Sequence, residues 1–330
     1  MSTDPWGDVR LHVVTGKGGT GKSTVAAALA LALAARGKTV LLCEVEGRQG
    51  IAQLFDVPPL PYEERRIVQG PDDGGDLYAL AIDPESALLE YLSMYYRLGR
   101  AGKALDRFGV IDFATTIAPG VRDVLLTGKV YEAVLRNRRT KNARHYDAVV
   151  LDAPPTGRIS QFLNVNSELA GLAKVGPIRS QADTVMTLLR SNRTAVHLVT
   201  VLEDMPVQEA ADGIDQLRAQ HLPVGALIVN LARRNELDDQ ERDLAMSGEL
   251  DGAAVAADLE RVGVKPMGTL VSGLLHEARE HAERRELEDE QRKRISTLDV
   301  PSYELPRLPD GIDLGALYEL AADLCRQGLA

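Results

Sequence analysis

Apolar positions along this chain gather in short unbroken runs instead of alternating with polar ones. Val9–Thr15, Thr39–Val45, Leu77–Ile82, Ala148–Leu151, Thr194–Val201 and Val224–Leu231 are such runs, and Ser302–Leu305 is a last candidate. Continuous β-branched runs predict strands covered on both faces, as in a parallel sheet. Helical patterns separate most of them. The first, Ser23–Arg36, stops beside Gly37, which suits a helix C-terminal cap. Strands alternating with helices predict an α/β fold: a doubly wound, mostly parallel sheet.

Between Asp83 and Tyr146 the strand pattern is missing. The segments "ESALLEYLSMYYRLGRAGKAL" and "VRDVLLTGKVYEAVLRNRR" read as helices. We therefore expect one domain over 1–330 with a helical insertion over about 84–145 and a further helical stretch over about 160–192. Arg233–Arg261 predicts a polar helical excursion. His276–Arg294, "HEAREHAERRELEDEQRKR", pairs opposite charges at i,i+4 and predicts an exposed surface helix.

Charge and cysteine usage narrow the function classes. The net charge of −10 disfavours nucleic acid and anionic lipid as partners. Two cysteines, Cys43 and Cys325, without a C-x-x-C, exclude a disulfide framework, and no structural zinc is expected. The longest apolar run, Val25–Ala35, is too short for a bilayer, so stable membrane insertion is not expected. The N-terminus has no signal-peptide pattern, and the expected location is the cytoplasm.

The chemistry concentrates in "VVTGKGGTGKST", Val13 to Thr24. Gly16, Gly18 and Gly21 fit the dinucleotide pattern G-x-G-x-x-G, with Glu44 and Glu46 near the end of the next strand as ribose-binding candidates. Gly16, Gly21, Lys22 and Ser23 fit the phosphate loop G-x-x-x-x-G-K-[ST]. The second reading explains more residues. Backbone N–H groups from Gly18 to Ser23 would face phosphate oxygens at a helix N-terminus. Lys22 would reach the β- and γ-phosphates, and Ser23 would put its hydroxyl on Mg²⁺. Lys17 has no role in that cradle. It is either a solvated lysine or one aimed at a neighbouring subunit's nucleotide, and spacing does not decide between them.

"GKGGTGKST" with "LDAPPTGR" resembles the deviant-Walker-A ATPases, and more narrowly the arsenite-pump family that includes the ATPases targeting tail-anchored membrane proteins. "ALAIDPESALLEYL", "APGVRD", "YDAVVLDAPPTG", "LIVN" and "ELPRLPDGIDL" extend the similarity over nearly the whole chain. The resemblance implies roles. Lys17 would cross a dimer interface to the partner's phosphates. The loop Gly16, Gly18, Gly19, Thr20 and Gly21 would bind ATP with Lys22 and Ser23, and Thr24 would touch the α-phosphate. Glu46 stands where the family carries a water-orienting Asp. Asp152 would reach Mg²⁺, Thr156 and Gly157 would sense the γ-phosphate, Asn230 would bond the adenine ring, and Pro306 would pack near it.

The implied activity is a Mg-dependent ATPase working as a nucleotide-switched dimer, homomeric or paired with a paralogue. Its output would be a client protein or partner. Tyr91, Tyr95, Tyr96, Phe108 and Phe113, with Leu88, Leu92 and Met94, are candidates for a hydrophobic client surface or for the insertion's own core. Glu46 in place of Asp motivates an alternative, a hydrolysis-poor ATP-binding subunit. A partitioning or positioning ATPase is a third reading, but the ending "LGALYELAADLCRQGLA" lacks the basic helix it needs. A nicotinamide-dependent enzyme rests only on the overlapping glycines.

Overall fold

Eight strands form one sheet: β1 (Leu11–Gly16), β2 (Val40–Glu44), β3 (Arg65–Val68), β4 (Leu77–Ala81), β5 (Ala148–Asp152), β6 (Thr194–Thr200), β7 (Val224–Ala232) and β8 (Ser302–Pro306). Their order is β3-β4-β2-β5-β1-β6-β7-β8. All neighbouring pairs are parallel except β3 with β4. This is the doubly wound sheet that the apolar runs predict. The computed structural model describes residues 6–70, 75–87, 89–90, 119–136, 143–172, 177–309 and 311–330.

Strand side chains alternate between faces, and the two cores follow that alternation. Val13, Val149 and Leu151 belong to one core, with Phe162, Ile214 and Leu227. Val14, Ala148 and Val150 belong to the other, with Leu29, Ile228 and Leu324. The second core holds α1 (Lys22–Ala35), whose residues Val25 to Ala34 are all buried. A helix apolar all round must be covered all round. The sheet lies on one side of it, and α2 (Gly50–Leu54) and α10 (Leu314–Gln327) pack on others. Truncating a fully buried residue such as Leu29 to Ala should cost about 2–5 kcal/mol.

The opposite face carries α3 (Pro119–Leu135), α4 (Thr156–Leu172), α5 (Pro177–Leu189) and α6 (Asp204–Ala219). Beyond α3, Arg136 forks onto Glu132 at 2.6 Å and also bonds Glu64, which ties this helix to the segment before β3. After β7 come α7 (Asp239–Ser247), α8 (Gly252–Arg261) and α9 (Gly268–Ser296).

Two expectations need correction. The edge strand β3 was not predicted: its Arg65 and Arg66 are exposed, so it has no apolar run to signal it. The charged helix α9 is not a wholly exposed one. Ala282, Glu288, Gln291 and Ile295 are buried, because its second half packs against α6. Glu288 is tolerated there by Arg233 and Arg285, each 3.2 Å away. The aromatic set Tyr91, Tyr95, Tyr96, Phe108 and Phe113, with Leu88, Leu92 and Met94, lies outside the described residues.

Candidate active site

Parallel strands place their C-terminal ends on one edge, and β1 stands between β5 and β6, where the chain changes direction across the sheet. The loop after β1 opens directly into α1. Gly16 has to be glycine for internal reasons: a Cβ there would lie 2.3 Å from the Val199 carbonyl oxygen. Gly21 caps α1 with φ +83°, a left-handed conformation that glycine adopts without strain. No side chain caps α1. The first N–H groups of the helix are therefore left for an external acceptor, as an anion site requires.

The loop is braced from three directions. Thr20 Oγ1 donates to the Lys17 carbonyl at 2.9 Å. Buried Asn230 donates from Nδ2 to the Thr20 carbonyl at 2.9 Å. Thr15 Oγ1 donates to the Pro154 carbonyl at 2.7 Å, which joins β1 to the "DAPPTG" segment. Thr24, in the first turn of α1, is half-buried.

The acid and the hydroxyl predicted for a cation meet. Ser23 Oγ donates to Asp152 Oδ2 at 2.5 Å. The Asp152 carboxyl stands raised at about 6: burial pushes it up most, Glu44 and Glu46 add to that, and the Ser23 bond and Lys22 work against it. A desolvated carboxylate beside a hydroxyl at the mouth of a phosphate loop is a hard-oxygen donor set that fits Mg²⁺.

The two glutamates at the end of β2 separate: Glu44 closes the strand and Glu46 follows it. Buried Glu44 accepts from the N–H groups of Gly50 and Ile51, at 3.1 and 3.4 Å, and so caps α2. That commitment removes it from any ribose and weakens the dinucleotide reading. Glu46 remains partly exposed, with Arg48 Nε 3.8 Å from its Oε2. It shares a small cleft with Arg48, Asp123, Pro154 and Arg158.

Thr156, the first residue of α4, is buried against Gly213 of α6, where a Cβ would lie 2.5 Å from Thr156 Cγ2. A Cβ at Gly157 would meet nothing. Lys17 turns aside to Glu209 on α6, 2.9 Å away. Asn230 and Pro306 sit at neighbouring strand ends, Pro306 opposite Ala232. A cavity of about 480 Å³ opens beside them, lined by Leu231, Arg233, Leu287 and Arg307 among others. Sequence reasoning missed Glu209 and Thr15, whose contacts join distant segments, and it offered Glu44 for a ribose instead of as the cap of α2.

Comparison with known proteins agrees with this geometry. A family model described as anion-transporting ATPase matches residues 9–190. The chain belongs to the anion-transporting ATPase family. ATPase BagA of Mycobacterium tuberculosis is 54% identical over 321 residues, covering 97% of this chain and 94% of BagA. ATPase get3 of Neurospora crassa is 28% identical over 188 residues, 56% of this chain and 52% of get3. The arsenical pump-driving ATPase of Escherichia coli is 28% identical over 242 residues, 66% of this chain and 38% of that protein. The resemblance drawn from "GKGGTGKST" and "LDAPPTGR" is thereby borne out, and this anion-transporting ATPase family member is an ATP hydrolase. No helix among the described residues is long and apolar enough to cross a membrane.

Proposed function

We propose that this ATPase is Mg-dependent and acts as a nucleotide-switched dimer that couples hydrolysis to a client protein or partner. The observation that carries the cation-dependent ATPase reading is the 2.5 Å bond between Ser23 and Asp152. It brings the phosphate loop and the end of β5 to one point, where a cation would meet the terminal phosphates.

In this reading the N–H groups of Gly18 to Ser23 hold the phosphates, with Gly16, Gly19 and Gly21 setting the loop. Lys22 neutralises charge on the β- and γ-phosphates, and Thr24 touches the α-phosphate. Ser23 and Asp152 would hold Mg²⁺, which when bound would supply positive charge to the same phosphates. Glu46 orients a water for attack on the γ-phosphorus: the water oxygen bonds to phosphorus as the bond to the ADP oxygen breaks, and the proton that the water gives up passes to the Glu46 carboxylate. Thr156 and Gly157 respond to loss of the γ-phosphate. Adenine lies at the strand ends of Asn230 and Pro306, with Asn230 also bracing the loop through Thr20. Lys17 of a second copy adds positive charge where negative charge spreads in the transition state. The helical insertion over about 84–145 is the output element.

Turnover of Mg-ATP by the wild type and by Lys22→Ala, each over a range of protein concentration, tests this. The expected result is specific activity that rises with concentration in the wild type and is lost in the variant. Equal turnover in both overturns the role of Lys22 on the phosphates, and a protein that turns over Mg-ATP while it sediments as a monomer overturns the dimer mechanism.

A further inference from the structure

Lys17 leaves the phosphate loop and pairs within its own subunit. Its Nζ lies 2.9 Å from Glu209 Oε1, and the two side chains are 29% and 40% exposed. Glu209 does not stand on a loose loop. It belongs to α6, and one turn further Gly213 brings that helix against Thr156, so closely that a Cβ would lie 2.5 Å from Thr156 Cγ2 and 3.0 Å from Leu198 Cδ2. Residues four apart share a helix face. The packing at Gly213 therefore fixes the height at which Glu209 meets the loop.

We infer that Glu209 is a positioning residue that retains Lys17 in its own subunit until a second copy arrives. The inference rests on the proposed action of Lys17 on that copy's phosphates. One ammonium on a flexible stem cannot serve both acceptors at once. A nucleotide's phosphates carry several negative charges where Glu209 carries one, so transfer is favourable once the two copies meet. A partly exposed pair is also weak enough to give way, holding its lysine by a factor of about two to five. Retention of that size sets the concentration at which subunits become active.

The test is Mg-ATP turnover against protein concentration for wild type, Glu209→Gln, Glu209→Asp and Lys17→Ala. Glu209→Gln is expected to reach half-maximal specific activity at a concentration about four to twenty-five times lower than wild type, because both lysines of a symmetric dimer are released from their carboxylates. Glu209→Asp, which keeps the charge, should restore the wild-type midpoint. High salt should narrow the gap between Glu209→Gln and wild type, because screening weakens the pair only where it exists. A midpoint unmoved or raised in Glu209→Gln, with turnover lost in Lys17→Ala, overturns the retention alone. Wild-type turnover in Lys17→Ala overturns the action of Lys17 itself, and the retention with it.

Discussion

Ser23 at the start of α1 and Asp152 at the end of β5 are joined by a hydrogen bond of 2.5 Å, although they belong to separate parts of the chain. The carboxyl is nearly buried, and Lys22 and Ser23 are the groups that favour its charged form. Asp152→Asn keeps the shape and removes the charge. We expect it to lower Mg-ATP turnover by about two to three powers of ten, the scale of a lost electrostatic contribution in the transition state. Isothermal titration should show nucleotide binding without Mg²⁺ preserved. Turnover within a few-fold of wild type would remove Asp152 from the cation site.

Two glycines of the loop differ in what requires them. A Cβ at Gly16 meets the Val199 carbonyl at 2.3 Å, whereas a Cβ at Gly18 meets nothing within 4 Å. Gly16→Ala must separate β1 from β6, and its melting temperature should fall clearly; overpacking of this kind costs about 1–3 kcal/mol. Gly18→Ala should melt close to wild type yet bind ATP more weakly, because in the proposed cradle phosphates approach the backbone of this loop. Unchanged ATP affinity in Gly18→Ala would count against the phosphate cradle.

Glu46 reaches its position with one more methylene than an aspartate. Glu46→Gln should leave ATP binding intact and cut turnover about a hundredfold, the usual scale for a lost general base. Glu46→Asp should raise turnover if the longer side chain misplaces the water, since small displacements cost large factors. Single-turnover measurements separate the two effects from product release. A Glu46→Gln variant with wild-type kinetics would move the water-orienting role elsewhere.

The parallel strands were legible because burial on both faces leaves an unbroken apolar run, as in β5 (AVVLD). The phosphate loop was legible because its backbone geometry fixes the spacing of glycines. β3 was not, since an exposed edge strand needs no apolar pattern. The division of labour between Glu44 and Glu46 was equally hidden: both stand at the end of the same apolar run, and only the position of α2 shows that Glu44 caps a helix. Lys17 and Glu209, or Asn230 and Thr20, meet through tertiary folding, and neither side chain of such a pair marks its partner in the sequence. The buried positions of α9 were hidden by the charges around them, since Glu288 is paired inside as it would be on a surface.

The same holds for two histidines inside apolar strands, and they make stability depend on acidity. His12 Nδ1 and His197 Nε2 lie 3.1 Å apart in the buried sheet, and the Ala226 N–H donates to His197 Nδ1 at 3.1 Å. His197 therefore carries its proton on Nε2 and donates to His12 Nδ1, so both rings are neutral. A charge on either would be buried without an acidic partner among the described residues. Burial holds His197 down to about 3, and burial with its histidine neighbour holds His12 well below the ordinary value. In the unfolded chain both titrate near about 6.5. Above that pH neither state binds the protons and stability is unaffected. As pH falls below it, the unfolded state takes up protons that the folded state refuses, and stability declines until the folded values are passed. Each histidine should contribute a slope of up to about 1.4 kcal/mol per pH unit in that window. Urea unfolding at pH 7.5, 6.0 and 5.0, conditions of about neutral to mildly acid range, should show this decline, and His12→Leu should lessen the slope by about one proton. An equal slope in that variant would mean that His12 takes up its proton in the folded protein.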